Sequence, residues 1–250
     1  MQTFLTLMRR ELATFFVSLT GYLIIAVATF LVNLGFVLML VLKGNDPTEM
    51  PMTEMFFGTV FFWLILLLAF PVITMRLFAL EKYSGTFETL MTTPVGDLQV
   101  VLAKFAAAWF FYLTMWLPTI GCLFLVQRFS SGPSTLDAAS VGVTYLGISL
   151  IGALFLSVGC FASAITRSQT VAAMVALALG MTLFLVAFLA GHATGSAAWM
   201  QEALGWFALF DHMNDFARGV LDTRPVVFHL SFTILFLFLT LRAIESRRWR

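Results

Sequence analysis

The sequence has little charge for its size. Asp, Glu, Lys and Arg make up 11% of its 250 residues, whereas ordinary soluble domains carry roughly 25%. Hydrophobic residues make up 60%, and the mean hydropathy is +0.97. A water-soluble fold cannot cover this much apolar surface, so the composition predicts an integral membrane protein. The net charge of +1 comes with no basic block that could grip phosphates, and we expect no nucleic-acid partner.

The residue types that carry catalysis are also scarce. The two cysteines lie inside apolar stretches and the three histidines are scattered, so neither type forms a metal-ligand pattern. No ionisable residue falls in the middle of an apolar stretch, which argues against a proton-coupled carrier, a voltage sensor and an intramembrane hydrolase. No segment matches GxxxxGKS or GxxxxGKT, the loop that cradles ATP phosphates. We expect no catalytic residue, metal site or cofactor in this chain.

Six apolar stretches are long enough to cross a bilayer, which takes a helix of about 20 residues. We expect an all-α fold with spans at 21–42, 56–75, 101–126, 139–165, 170–190 and 226–244. Lys104 and Arg242, the charges inside these windows, lie near span ends from which they can reach the interface. With both termini in the cytoplasm, the outer basic residues are Lys43, Arg128, Arg218 and Arg224, and all others are cytoplasmic. This bias predicts cytoplasmic termini.

Residues 1–20 are predicted to form an amphipathic helix in the headgroup plane. An apolar stripe at helical spacing consists of Phe4, Met8, Leu12, Phe15 and Leu19. Arg9 and Arg10 fall on the opposite face, as in interfacial helices, and Glu11 flanks the stripe. Gly21 is expected to mark the bend into the first span. The alternative is that residues 2–20 simply extend that span.

Small residues in the fourth and fifth spans are expected to allow close helix packing, which in lipid depends on shape. They are Gly147, Gly152, Ser157, Gly159 and Ser163, followed by Ala172, Ala176 and Gly180. Packing within one subunit is the favoured interpretation, and a seam between subunits is the alternative. Asn33, the most polar side chain deep in the first span, is interpreted as a contact between helices, with a substrate contact as the alternative.

The outer segment 191–225 is predicted to contain one or two short helices before the last span. Apolar residues recur there at roughly helical intervals: Trp199, Leu204, Phe207, Phe210 and Met213. Arg218 and Asp222 are four residues apart and are expected to pair on one helix face. With Asp215 and Arg224, they are interpreted as residues that order this outer structure.

The loop between the second and third spans is the most polar part of the chain. Pro71 is expected to kink the second span, and residues 76–83 to continue it as a helix into the cytoplasm. Ser84-Gly85 should break that helix, and Asp97 is placed to cap the third span.

A second short helix is predicted between this break and the third span. Thr86 can cap it, and Glu88 falls in its first turn, where a carboxylate suits the helix dipole. Leu90 and Met91 give it an apolar face, and Pro94 ends it. Such a helix suits a groove in a cytoplasmic partner. The alternative is a loop that only solubilises the inner face.

The pattern Glu81-Lys82-x-Ser84-Gly85-Thr86-x-Glu88-x-Leu90-x3-Pro94, with Lys104, resembles the cytoplasmic loop of ABC-2-type permeases, the membrane subunits of one class of ABC transporters. The order of elements is similar too, with an interfacial N-terminal helix, six spans, a coupling helix between the second and third, and short outer helices before the last. Arg10-Glu11-Leu12 with Phe15-Phe16, and the segment 216–224, resemble the gliding-motility-associated permease subfamily.

The resemblance implies a single ABC-2-type transmembrane domain over residues 1–250, in the inner membrane of a bacterium. It implies a permease that couples ATP hydrolysis by a separate cytoplasmic ATPase, which holds ATP and Mg, to export. The residues implied to form the coupling helix and its stalk are Glu81, Lys82, Gly85, Thr86, Glu88, Leu90 and Pro94. The implied partners are the ATPase, a second identical or similar permease chain, and an accessory outer protein. A non-transporting mechanotransmission or anchor subunit and an ATP-independent channel or carrier remain the alternatives.

Overall fold

A computed structural model describes residues 2–43, 52–86, 96–129, 138–192, 199 and 204–248. In this part of the chain every regular element is a helix, so the predicted all-α fold class is confirmed. In chain order the helices are α1 Gln2–Val17, α2 Leu19–Lys43, α3 Met52–Phe57, α4 Val60–Thr74, α5 Ala79–Ser84, α6 Asp97–Phe129, α7 Ala138–Ile165, α8 Gln169–His192, α9 Leu209–Ala217 and α10 Thr223–Arg248.

Six helical segments of the described ranges are long and apolar enough to cross a membrane, as predicted. They run over Leu19–Val41, Val60–Ser84, Asp97–Leu125, Ala138–Ile165, Gln169–Gly191 and Thr223–Ser246. Their apolar residues extend around most of each helix, which is typical of helices that cross a bilayer.

The α7 helix lies at the centre of the bundle and packs against α4, α6, α8, α9 and α10. Its span is 78% buried inside the protein, whereas the spans of α2 and α8 are each 22% buried. The α2 and α8 helices therefore lie at the periphery, where their apolar faces suit lipid chains or a further apolar helix.

The small residues of α7 and α8 pack within the subunit, as the favoured interpretation held. A Cβ on Gly147 would come within 2.7 Å of the Phe216 ring, and one on Gly152 would overlap the Tyr112 ring. Gly180 of α8 meets the Phe70 ring in the same way. Each glycine accepts an aromatic ring from a neighbouring helix, so this packing leaves those positions no room for a subunit seam.

The bend between the first two helices lies at Ser18, so the expected bend at Gly21 is wrong. Gly21 is inside α2, where a Cβ would overlap the carbonyl oxygen of Phe15. The chain thus bends one turn earlier, and glycine makes room for the end of α1. The Phe15 ring stacks on Phe111 of α6 at 4.8 Å between centroids, while Leu19 is 85% exposed and leaves the packed stripe.

Gly152→Ala should destabilise the protein by about 2 kcal/mol, because the added methyl group overpacks the contact with Tyr112. Gly142→Ala is the matched control: it lies on the same helix, and a Cβ there meets nothing within 4 Å. The control should stabilise the helix by about 0.5–1 kcal/mol. Thermal unfolding in detergent micelles measures both changes. Equal unfolding temperatures for the two variants would contradict the packing described for Gly152.

Candidate functional site

The chain turns at the end of α4, ahead of the polar loop between the second and third spans. The α4 helix continues through Pro71 to Thr74, residues 75–78 form a turn, and α5 begins at Ala79. The expectation of one helix over residues 76–83 is therefore wrong at its start. The turn is stabilised from outside, because Ser163 Oγ of α7 accepts the N–H groups of Phe78 and Ala79, each at 3.1 Å.

The α5 helix is tied to the end of α7 by further bonds. Ser163 donates to the carbonyl of Met75 at 3.3 Å, and Lys82 Nζ donates to the carbonyl of Ala164. The sequence identified Ser163 only as a small residue, whereas in the structure its hydroxyl group forms the bonds that stabilise the turn. These bonds give α5 a fixed position relative to the centre of the bundle.

A buried lysine joins α5 to the N-terminal helix. Lys104 Nζ of α6 lies 3.0 Å from Glu11 Oε1 of α1 and 2.8 Å from Glu81 Oε1 of α5. Lys104 is 2% exposed, so protein groups instead of water surround its ammonium group. Two carboxylates satisfy its charge where it lies, and a buried ammonium group requires such partners. We call these three residues the lysine triad.

Two arginines flank the lysine triad. Arg10 Nη2 lies 2.9 Å from Glu11 Oε1 and 3.8 Å from Glu81 Oε1. Arg76, in the turn, donates to Ser18 Oγ at 3.3 Å and to Thr20 Oγ1. The turn at the end of α4 is thereby joined to the bend between α1 and α2.

The predicted break after α5 is present. Gly85 has φ +74°, the left-handed conformation that glycine adopts without strain, and it ends α5 after Ser84. Thr86 follows it, whereas Glu88, Leu90 and Pro94 lie outside the described residues. Asp97 is the first residue of α6 instead of its cap; the carbonyl of Gly96 accepts the N–H groups of Gln99 and Val100 in the first turn of that helix.

On the opposite side of the membrane, Arg218 pairs with Glu54 and not with Asp222, so that predicted pair is wrong. Arg218 Nη2 lies 2.6 Å from Glu54 Oε1 of α3, and this bond raises the pKa of the guanidinium. Gly219, at φ +82°, ends the helical path before Asp222. Asp222 Oδ1 instead accepts the N–H of Arg224 at 3.1 Å at the start of α10.

The outer helix α9 is held by hydroxyl groups of its neighbours. Thr53 Oγ1 donates to the carbonyl of Ala217 at 2.6 Å, and Thr144 Oγ1 donates to that of Phe216 at 3.3 Å. Asp215 lies on α9, and its carbonyl accepts the N–H of Val220. The second span was predicted to begin at residue 56, but residues 56 and 57 belong to α3, and α4 begins at Val60. Glu54, which precedes that predicted span, was not identified from the sequence.

Two histidines face each other where α9 meets α10. The ring centroids of His212 and His229 lie 5.5 Å apart, and the Phe228 ring lies 5.8 Å from His212. His212 Nδ1 is buried and has no hydrogen-bond partner within the described ranges. Burial lowers the pKa of His212, and the negative charges of Asp211, Asp215 and Asp222 oppose that shift.

These features define a polytopic α-helical membrane protein with the braced helix α5 at one end of the bundle and a short cap, formed by α3 and α9, at the other. Residues 71–243 match the family described as ABC-2 family transporter protein. The match covers more than half of the chain, and the chain belongs to this family. It contains α5, Lys104 and Ser163, whereas α1 and Glu11 precede it. No curated protein matches the chain.

Lys104→Met should destabilise the protein by about 3 kcal/mol, because it leaves two partly buried carboxylates facing each other. Adding Glu81→Gln should recover part of the loss, since one uncompensated charge is removed. Arg242→Met is the matched control: its pair with Glu245 is exposed and is worth at most about 1 kcal/mol. Unfolding in detergent measures all three. Equal losses of stability in Lys104→Met and Arg242→Met would contradict a structural role for the lysine triad.

His212→Phe should make outer-helix stability less dependent on pH. The pKa of His212 is lower in the folded protein, so the unfolded chain binds the proton more readily, and stability falls as pH drops below about 6.5. Phenylalanine keeps the contact with Phe228 and cannot titrate. Hydrogen exchange of α9 amides between pH 7.5 and 5 measures the effect. The same acid-induced loss of protection in both proteins would contradict this assignment.

Proposed function

We propose that this chain is the membrane-spanning permease subunit of an ABC transporter. It couples ATP hydrolysis by a separate cytoplasmic ATPase to export across a bacterial inner membrane. Membership of the ABC-2 family supports the permease class. The observation that carries the coupling proposal is the bracing of α5, which is bonded to α1 and α6 through Lys104 and to α7 through Ser163 and Lys82.

This bracing suits α5 to transmit a displacement into the membrane. Moving α5 alone would separate Glu81 from Lys104 and break the bonds to Ser163. Removing one partner from a buried ion pair costs about 3–5 kcal/mol, so α5 moves most easily together with α1, α6 and the end of α7. Glu81 and Lys82 therefore act as parts of the stalk, with their side chains turned towards the bundle.

The segment beyond Gly85 would contact the ATPase. Thr86, Glu88 and Leu90 would form the short coupling helix that enters a groove of the ATPase, and Pro94 would end it. ATP and Mg belong to that partner, because this sequence has no phosphate-binding loop. With α5 in the cytoplasm, both termini are cytoplasmic as well, in agreement with the distribution of Lys and Arg.

The complete transporter would contain a second permease chain, identical or similar to this one. The low burial of α2 and α8 supports this part of the proposal, since their apolar faces suit another helix as well as lipid. An accessory outer protein would meet the cap formed by α3 and α9. The segments 10–16 and 216–224 favour the gliding-motility-associated subfamily within this family.

Glu88→Lys and Gly85→Pro should abolish ATP turnover that depends on this chain, while membrane insertion is retained. Glu88→Lys reverses a charge on the coupling helix. Gly85→Pro removes the left-handed residue that sets the direction of the coupling helix after α5. Glu245→Lys is the matched control, a charge reversal near the C-terminal end of α10. The measurement is ATP hydrolysis by the ATPase co-purified with each variant in mild detergent. Full turnover in both test variants would overturn the coupling-helix assignment.

Flux measurements in proteoliposomes separate the transporter from the alternative classes. A permease moves substrate only with the ATPase and ATP present. An anchor or mechanotransmission subunit would change conformation with ATP and give no flux. A channel or carrier would give flux or current with no ATPase at all.

A further inference from the structure

We propose that a cavity beside α5 binds the headgroup of an inner-leaflet phospholipid, with the phosphate at Arg76 and Arg10 and a hydrogen-bond donor of the headgroup at Glu81. The inference rests on the proposed function in one respect, the cytoplasmic placement of α5. That placement puts the cavity at the level of the inner headgroups, because α5 forms the cytoplasmic end of the second spanning segment, Val60–Ser84.

The cavity has a volume of about 590 Å³ and lies between α1, the turn at residues 75–78, α5 and α6. Its walls carry both charged and apolar groups. Arg10, Arg76 and Lys104 supply positive charge, Glu11 and Glu81 supply negative charge, and Phe15, Leu77 and Leu80 supply apolar groups. The volume is within the range of small-molecule sites, which is about 300–1,000 Å³. A wall with both characters suits an amphipathic molecule.

The charges of the cavity are not balanced within the described part of the chain. Lys104 is matched by Glu11 and Glu81, and Arg10 shares Glu11. Arg76 bonds only to the hydroxyl groups of Ser18 and Thr20 among the described contacts. An anion beside Arg76 and Arg10 would neutralise the remaining positive charge. Basic pockets at the cytoplasmic face of membrane helices are typical binding sites for lipid headgroups.

One carboxylate that lines the cavity also has an acceptor without a partner. Glu81 Oε1 bonds to Lys104, but Oε2 is buried with no hydrogen-bond partner in the described ranges. A buried carboxylate oxygen without a hydrogen-bond partner lowers the stability of the folded protein. The hydroxyl groups of phosphatidylglycerol or the ammonium of phosphatidylethanolamine would supply the donor. Phosphatidylcholine, whose quaternary ammonium has no N–H, would not.

The apolar wall favours a lipid over a soluble phosphate. Phe15 and Leu77 are buried, and Leu80 is 41% exposed at the edge. A free phosphate ion gains nothing from Leu80, whereas the glycerol and first acyl carbons of a lipid would bury its exposed apolar surface. The amphipathic α1 helix, which forms one wall, is of the kind that lies among headgroups.

The test is lipid binding by the delipidated full-length protein in detergent, with bound lipid counted by native mass spectrometry. Phosphatidylglycerol and phosphatidylethanolamine should bind about 10-fold more tightly than phosphatidylcholine, the expected effect of one bond to a charged group. Arg76→Gln should weaken phosphatidylglycerol binding about 10-fold. Arg167→Gln, an equal charge change in the exposed link between α7 and α8, should leave it unchanged. Leu80→Trp should also weaken binding by filling the cavity, with every charge retained.

Equal binding of phosphatidylcholine and phosphatidylglycerol would overturn the proposal, as would equal losses in Arg76→Gln and Arg167→Gln. Displacement of phosphatidylglycerol by millimolar inorganic phosphate would identify a soluble-anion site instead and would also overturn it. The assay contains no ATPase, so it is independent of the coupling experiment. Lipid binding without a co-purifying ATPase would contradict the proposed function alone, and the reverse result would contradict this inference alone.

Discussion

One end of the helix bundle depends on a lysine held between two carboxylates. An ammonium group removed from water is stable only beside compensating charge, so the position of Lys104 constrains both Glu11 and Glu81. That constraint brings α1 against α6, where Phe15 and Phe111 stack, and so α1 packs as part of the bundle. It also directs α5 back towards α6 after the turn at residues 75–78.

The middle of the bundle is organised by shape instead of charge. Rings of Tyr112, Phe70 and Phe216 fill the spaces that Gly152, Gly180 and Gly147 leave open. In lipid there is no hydrophobic drive between helices, so such close contacts supply the packing energy. Ionic and hydroxyl contacts appear at the two ends, in the lysine triad on one side and the Arg218–Glu54 pair on the other.

Features with a local signal could be predicted from the sequence. Six spans follow from the length of the apolar stretches, and the break at Gly85 follows from the chemistry of one residue. Contacts between distant residues could not be predicted in this way: Lys104 and Glu11 are 93 positions apart, and Arg218 and Glu54 are 164 apart. The four-residue spacing predicted a pair between Arg218 and Asp222, because it assumed that one helix contains both residues. That helix ends at Gly219. The roles of Glu88, Leu90 and Pro94 stay predictions.

The hydroxyl group of Ser163 also sets an order for assembly. It closes the turn by accepting the N–H groups of Phe78 and Ala79, which precede it by 85 and 84 residues. During synthesis the second and third spans leave the ribosome well before Ser163 does. The bonds that close the turn are therefore absent during early insertion, and they form only when the fourth span joins the bundle. A chain stopped before that span would hold the lysine triad's residues but lack the bonds of Ser163 to Phe78 and Ala79.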